Sequence, residues 1–461
     1  MFRLARLARL ARLARLARLA RLARLARLAR LARCAKSERL RRHGISRNLR
    51  KFDNLVTPLF RKFLGLHWIL FAAMVAMVAL GIYSIYAAVH FRSEVAFSSR
   101  WNDQIRWVLI GMVFFFVVSL TDYKWVRWAS LPLYCVGLGL LVLQDMVSEE
   151  INGQKLSLSF FGVSFQAAQF AITATIMLLA VMLGEGHKYL PWLKHYLVRF
   201  FVAGIIAGLP FLLVVKQGDV GSAMVMIPIV AAMLLVGNIP FRCLIAVSLI
   251  GLIVIPPVYF FKLEVYQQNR IKVTLDLLAG RPVDTRGPGW NLTNLLIAVG
   301  SAGWEGKGLD ARNLPPGQKS MLQLKLTSPN TAHTDFIYAS AAETFGFRGA
   351  AIIIIGFIFI LTMALMVSFF SRDQLGRLLA VGIIALLFAH IFEHIGMNIG
   401  LLPITGIPLP LISYGGTFMV MNLFLFGLIQ SVWVHRNAMI EEEKANKAKP
   451  VRGTRQAMAY P

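Results

Sequence analysis

The stretch "WILFAAMVAMVALGIYSIYAAVH", residues 68–90, contains no Asp, Glu, Lys or Arg. A hydrocarbon core about 30 Å thick is crossed by about 20 apolar helical residues, so the stretch reads as a membrane span. Similar runs recur almost to the C-terminus, near 105–121, 128–146, 164–183, 199–215, 221–237, 242–261, 336–370, 377–396 and 411–434. With 57% hydrophobic residues and a mean hydropathy of +0.63, the 461-residue chain lies well above the makeup of soluble domains, which are roughly half apolar. The expectation is an all-α integral membrane protein of about ten transmembrane helices.

The short connections sort by charge as the positive-inside rule requires. Lys124 with Arg127, Lys188 with Lys194 and Arg199, Arg242, and Arg372 with Arg377 fall on one side, whereas the opposite short loops include Glu149 and Glu150. Both termini are therefore expected in the cytoplasm. The loop at 91–106, with Arg92, Arg100 and Arg106, fits less well. Outside lie one large extracytoplasmic loop, 262–335, and a segment at 397–411. The domain plan is a cytoplasmic tail (1–60), a transmembrane domain (61–436) and a basic cytoplasmic tail (437–461).

Net charge is +27, but 11 Arg stand at every third position from Arg3 to Arg33 in a run of "RLARLARLA" repeats. On a helix a three-residue repeat slips by about 60° each time, so no lasting face forms. The segment reads as a low-complexity expansion or a misplaced start codon, with an arm for anionic lipid and an organellar transit peptide as alternatives. No nucleic-acid partner is expected. Cys34, Cys135 and Cys243 imply no disulfide framework.

Residues of chemical interest gather on the outer side. The loop after 261 carries Lys262, Arg270, Lys272, Asp276, Arg281 and Arg286, then "GPGWNLTNLLIAVGSAGWEGKG" with Lys307. Several cations at a membrane boundary suit a phosphorylated lipid head, whose oxygens are costly to desolvate without charge-assisted partners; a basic loop touching anionic lipid is the plainer reading. "AHTDFIYASAAETFGFRG" brings His333, Thr334 and Asp335 to a span entrance and places Glu343 about two turns further in. Asp335 suits a helix cap, whereas a carboxylate at the depth of Glu343 calls for pairing or a wet cavity. "KQGDVGSAM" puts Lys216 and Asp219 in a short outer turn. "GLLPITGIPLPLISYGG", residues 400–416, crowds Pro and Gly into a span entrance, and irregular backbone at membrane depth survives only where protein buries it or where it borders water. This segment, with Ser413 and Tyr414, is expected to line a cavity. "HIFEH", His390 to His394, matches the H-x-x-E-H string of inverted zinc peptidases, but hydrogen bonding between helices is the expected use of these side chains.

At these motifs the chain resembles the SEDS family, the shape, elongation, division and sporulation proteins typified by RodA and FtsW, over about residues 66–436. "YQQNRIKVTLD" is similar to the family's Tyr-Gln to Leu-Asp-Pro stretch, "IAVGSAGWEGKG" to its Gly-rich Gly-Lys-Gly motif, "HTDFIYASAAETFGFRG" to its His-Thr-Asp-Phe-Ile stretch and "LLPITGIPLPLISYGGT" to its Gly-Ile-Pro-Leu-Pro to Ser-Tyr-Gly-Gly segment. The last wording leans towards RodA. The resemblance implies a glycosyltransferase that polymerises lipid II on the outer face of the bacterial plasma membrane. It also implies a class B penicillin-binding protein as transpeptidase partner, together with other elongation or division proteins. The family's essential loop aspartate falls on Asp276.

Transfer from a lipid pyrophosphate needs cations for the departing charge more than a second carboxylic acid. One carboxylate remains necessary, to accept the proton of the incoming hydroxyl or to hold a divalent cation, Mg²⁺ or Mn²⁺. Asp276 is assigned that role. Arg270, Lys272 and Lys307 are candidates for the pyrophosphate, and Lys155, Gln166, Asp219, His333, Asp335, Glu343, Ser413 and Tyr414 for other substrate contacts. The chain departs from the family pattern in several places. Leu277 replaces the Pro after the aspartate, Ala167, Ala168 and Gln169 replace Pro-Ser-Glu, Thr344 replaces the second Glu of Glu-Glu, and His394 replaces the usual Asn. A lipid II translocase or other lipid transporter, and a non-catalytic scaffold for the transpeptidase, remain as alternatives.

Overall fold

The computed structural model describes residues 58–89, 99–148, 158–160, 163–249, 264–309 and 331–436. Residues up to Leu64 form a unit of their own, in which Pro58–Leu64 is helical. The bundle belongs to the second unit, from Gly65 onward. Its helices are α1 (Trp68–Val89), α2 (Arg100–Leu120), α3 (Val126–Val147), α4 (Ala167–Tyr189), α5 (Tyr196–Lys216), α6 (Val220–Val236), α7 (Val265–Leu278), α8 (Trp290–Gly300), α9 (Ile337–Phe370), α10 (Gln374–Asn398) and α11 (Gly416–His435). Among the described residues, eight helices are long and apolar enough to cross a membrane, and α6 is a shorter apolar one. These cover nine of the expected crossings. The remaining one, 242–261, is helical over 241–249 and otherwise lies outside the described residues, as do residues 1–57 and 437–461.

The helices sort into an inner and an outer set. In their most apolar stretches α4, α10 and α11 have 83, 78 and 67% of residues buried, whereas α1, α2, α3, α5 and α9 have only 22 to 39%. The sequence explains the division. Inner helices carry polar groups that lipid would not tolerate, such as Gln169 and Thr175 on α4, His390, Glu393 and Asn398 on α10, and Asn422 and Gln430 on α11, all buried. The outer helices turn Leu, Ile, Val and Phe outward. α11 packs along α2, α3 along α4, α9 along α1, and α10 against α4, α6 and α9. The ends carrying α7 and α8 form the loop face of the bundle; the opposite ends carry the basic turns.

Two departures from regular helix bear on the site. A small antiparallel hairpin, β1 (Leu158–Phe160) and β2 (Val163–Phe165), precedes α4 with Leu158 opposite Phe165. Residues 163–165 therefore pair as a strand, and the crossing expected from 164 begins at Ala167. The second departure is inside α9, where Gly346 adopts φ 71° and breaks the helix. The break frees backbone groups that the Gly-Lys-Gly motif then satisfies. Lys307 N donates to Glu343 O at 2.9 Å and Gly308 N to Thr344 O at 3.0 Å, while Phe347 N donates to Gly303 O at 2.9 Å. A Cβ built on Gly346 would lie 2.3 Å from Gly306 N, and one on Gly306 2.3 Å from Thr344 O, so both glycines are required for this approach.

Candidate active site

A cavity of about 720 Å³ opens at the loop face between the start of α2, the hairpin, residues 334–335 and the start of α11. Its walls include Arg100, Trp107, Gln166, Asp335, Tyr414 and Thr417. Arg100 enters because α2 begins earlier than its apolar run. Its Nη1 donates to the Tyr414 hydroxyl at 3.1 Å, its guanidinium lies 5.2 Å from that ring's centre, and its Nε is buried without a partner. One turn on, buried Gln104 donates to Ser413 O and accepts from Gly415 N, both at 3.2 Å. The irregular 400–415 segment is thus tied to α2 as well as to α10. Leu411 within it is buried with φ 64°, a conformation costing a non-glycine residue about 1–2 kcal/mol.

The His333–Thr334–Asp335 segment is fixed through three successive carbonyls. His333 O accepts from Tyr414 N at 2.9 Å, Thr334 O from Ser413 Oγ at 2.6 Å and Asp335 O from Asn398 Nδ2 at 3.1 Å. Asn398 Oδ1 also accepts from Ala339 N at 3.3 Å, and Ser413 Oγ accepts from Leu409 N at 2.7 Å. Asp335 does not cap α9; the cap position is Phe336. Its carboxyl is half-buried because the cavity opens onto it. Burial pushes it up to about 7, against the Thr334 hydroxyl bond and the Arg270 charge, while Asp219 adds to the upward push. Arg270 donates to Ile404 O at 3.1 Å and lies over the Tyr266 ring. Asp219 caps α6 by accepting from Ser222 N at 2.9 Å, and burial raises its carboxyl too.

Asp276 stands elsewhere. It lies in the last turn of α7, which starts with a capping box of Glu264 and Gln267 and ends in a Schellman turn: Arg281 N donates to Asp276 O at 2.8 Å and Gly280 N to Leu277 O at 3.0 Å, with Gly280 at φ 67°. A Pro at 277 would disfavour helical backbone at 276; Leu277 lets the helix run on to Leu278. The Asp276 side chain is 22% exposed and pairs at 3.5 Å with Arg281, itself 72% exposed. It is not among the residues lining the cavity.

Several expected contacts find other partners. Lys307 Nζ lies 2.9 Å from Glu343 Oε1, the two being 12% and 1% exposed, so the proposed pyrophosphate ligand and the deep carboxylate are an ion pair. Ser413 is fully buried; the substrate contact assigned to it is replaced by the clasp just described. His333 is buried with its ring 5.2 Å from that of Tyr414. Gln166 and Tyr414 do line the cavity, Lys272 is exposed, and Lys155 lies outside the described residues. The H-x-x-E-H string makes hydrogen bonds: His390 Nδ1 lies 3.0 Å from Leu386 O and its Nε2 is 3.2 Å from Gln169 Nε2 on α4, while His394 Nδ1 is 2.6 Å from Ile407 O. Neither Arg100 nor Asn398 falls among the site residues the sequence singles out; the signal for Arg100 is its place in the loop that fits the charge rule less well.

Bundle and cavity together define a multi-pass membrane protein with a polar chamber at one face. The chain belongs to the FtsW/RodA/SpoVE family: the family's sequence model, described as "Cell cycle protein", matches residues 67–438. It is 29% identical over 347 residues to the peptidoglycan glycosyltransferase MrdB of Escherichia coli, covering 75% of this chain and 88% of that one. It is 30% identical over 377 residues to the probable peptidoglycan glycosyltransferase FtsW of Trichlorobacter lovleyi, covering 79% and 92%, and 26% identical to the peptidoglycan glycosyltransferase RodA of Treponema pallidum, covering 79% and 96%. These identities do not separate the RodA and FtsW branches. The fold is shared with the rod shape determining protein RodA of Thermus thermophilus, at TM-score 0.57 and 22% identity over 80% of this chain and 97% of that one. It is also shared with a chain from a peptidoglycan synthase complex described for its coordination of polymerization and crosslinking, at TM-score 0.64, 22% identity, and coverage of 80% and 98%. The protein is a multi-pass protein of the bacterial inner membrane.

Proposed function

We propose that this chain is a peptidoglycan glycosyltransferase that polymerises lipid II into glycan strands at the outer face of the plasma membrane, in cell elongation and shape. The cavity at the loop face is the observation that carries this reading. It offers a membrane-anchored sugar a chamber walled by Arg100, Gln166, Asp335 and Tyr414 while the prenyl chain stays in lipid. Transfer breaks the bond to a pyrophosphate, and positioned cations stabilise the charge that departs. Arg100, Arg270, Lys272 and Arg281 stand on this face. A single displacement inverts the anomeric centre.

Asp276 is the loop carboxylate in this scheme. Its place outside the cavity wall, with Arg281 3.5 Å away, favours a role towards the pyrophosphate. Mg²⁺ or Mn²⁺ fits such a site, since Mg²⁺ commonly takes one or two carboxylates and completes its shell with substrate phosphate and water. Asp276 would hold it, and the ion would supply neutralising charge. Among the described residues no group of three His, Cys, Asp or Glu is placed to hold one unaided. A class B penicillin-binding protein is the proposed partner, supported by the fold shared with a chain of the synthase complex.

The test is conversion of fluorescent lipid II to glycan strands by purified protein, with loss of product on Asp276→Ala. The buried His390, Glu393 and His394 of α10 favour a second reading, lipid translocation, because ionisable groups deep in a bundle mark transport paths. That reading predicts lipid II movement across vesicles without strands, unchanged by Asp276→Ala.

A further inference from the structure

We infer that Asp335 takes the proton from the attacking sugar hydroxyl, an assignment that rests on the glycosyltransferase reading and adds a second carboxylate to it. Two carboxylates line the cavity, Asp103 and Asp335, and they differ in what surrounds them: Asp103 pairs with Arg106 at 3.1 Å. Asp276, outside the cavity wall, likewise stands beside a guanidinium. Asp335 forms part of the cavity wall, and among the described residues no cation forms an ion pair with it. A base must be held still within hydrogen-bond reach of its proton. The three clamped carbonyls of residues 333–335 hold the backbone of Asp335 to the 409–414 segment and to α10 at once.

The electrostatic surroundings suit the task. Arg270 faces Asp335 from α7 and Asp219 from the start of α6, with Arg100, Asp103 and Arg106 of α2 and Tyr414 lining the same cavity. With its carboxyl pushed up to about 7, Asp335 is about half ionised at neutral pH yet more basic than an ordinary carboxylate, the compromise that favours proton transfer. In the step assigned to it, the hydroxyl O–H bond breaks and its proton passes to a carboxylate oxygen of Asp335. The sugar oxygen forms the new bond to the anomeric carbon, and the bond from that carbon to the pyrophosphate oxygen breaks with its electron pair on the phosphate. The proton then leaves through the open cavity to water.

The experiment is a pH profile of lipid II polymerisation by the full-length protein with its transpeptidase partner, for wild type and Asp335→Asn. General-base removal typically costs 10²- to 10⁴-fold, so the variant is expected to lose at least about 100-fold in kcat with KM within about threefold. Wild-type kcat/KM should climb about tenfold per pH unit below about 7 and level off above it. Residual activity of the variant should lack that limb. A variant within about threefold of wild type overturns the assignment, as does a wild-type profile flat from about pH 5.5 to 7.5, a readout independent of how the variant folds. Wild type that makes no strands at any pH sinks the glycosyltransferase reading and this assignment with it; active wild type with an active variant sinks only the latter.

Discussion

Replacing Lys307 by Met is predicted to be the most damaging single change to the docked Gly-Lys-Gly motif. Its ammonium lies 2.9 Å from the Glu343 carboxylate, which is 1% exposed. At that distance the attraction is about 6 kcal/mol for an effective dielectric of about 20, and removing one partner of a buried pair typically costs about 3–5 kcal/mol because the other charge stays buried. Lys307→Met should therefore lose about 3–5 kcal/mol. Glu343→Met should lose less, because Lys307 is 12% exposed and its flexible stem lets the ammonium turn to water. The double Met variant should be more stable than Lys307→Met alone, with a coupling of about 2–3 kcal/mol. Unfolding in mixed detergent and SDS micelles, followed by tryptophan fluorescence, measures all four proteins. If Lys307→Met costs under about 1 kcal/mol, or if the two losses simply add, the buried pair is not what holds the motif.

Other outcomes follow from single contacts. Gly346→Ala must place a Cβ 2.3 Å from Gly306 N at φ 71°, and should lower the thermal midpoint in detergent by several degrees, at least the equivalent of about 2 kcal/mol. Ser413→Ala leaves Leu409 N and Thr334 O without their shared hydroxyl and should cost about 1–3 kcal/mol, read in the same melt. Because the Asp335 carboxyl is raised, the folded chain holds that proton to higher pH than the unfolded chain and loses stability as pH rises from about 4 to 7. Asp335→Asn should therefore gain in melting temperature relative to wild type between pH 5 and pH 7.5. Chelation with EDTA should slow polymerisation, with Mg²⁺ or Mn²⁺ restoring it, if Asp276 works through a divalent cation.

The spans were legible because lipid imposes length and composition on a helix directly; Trp68–Val89 in the structure nearly coincides with the run that announced it. The break before α11 was legible too, from Pro403, Pro408 and the glycines around them. Pairings across distance were not. Nothing local says that Lys307 will meet Glu343, 36 positions away, or that the Ser413 hydroxyl will clasp Thr334, 79 positions away. The pairing of Asp276 with Arg281 depends on a Schellman turn that Gly280 hinted at, whereas the cavity onto which Asp335 opens depends on α2, which contributes Arg100 from outside every motif. Long-range packing decides which carboxylate faces the chamber, and composition does not encode it.

The account turns on lipid II entering the cavity. Photocrosslinking amino acids placed singly at Trp107 and Thr417 on its wall, and at Arg372 on the opposite face, test this with a labelled lipid II in proteoliposomes. Capture at the two wall positions and none at Arg372 is the predicted result; capture at Arg372 with none at the wall would contradict it.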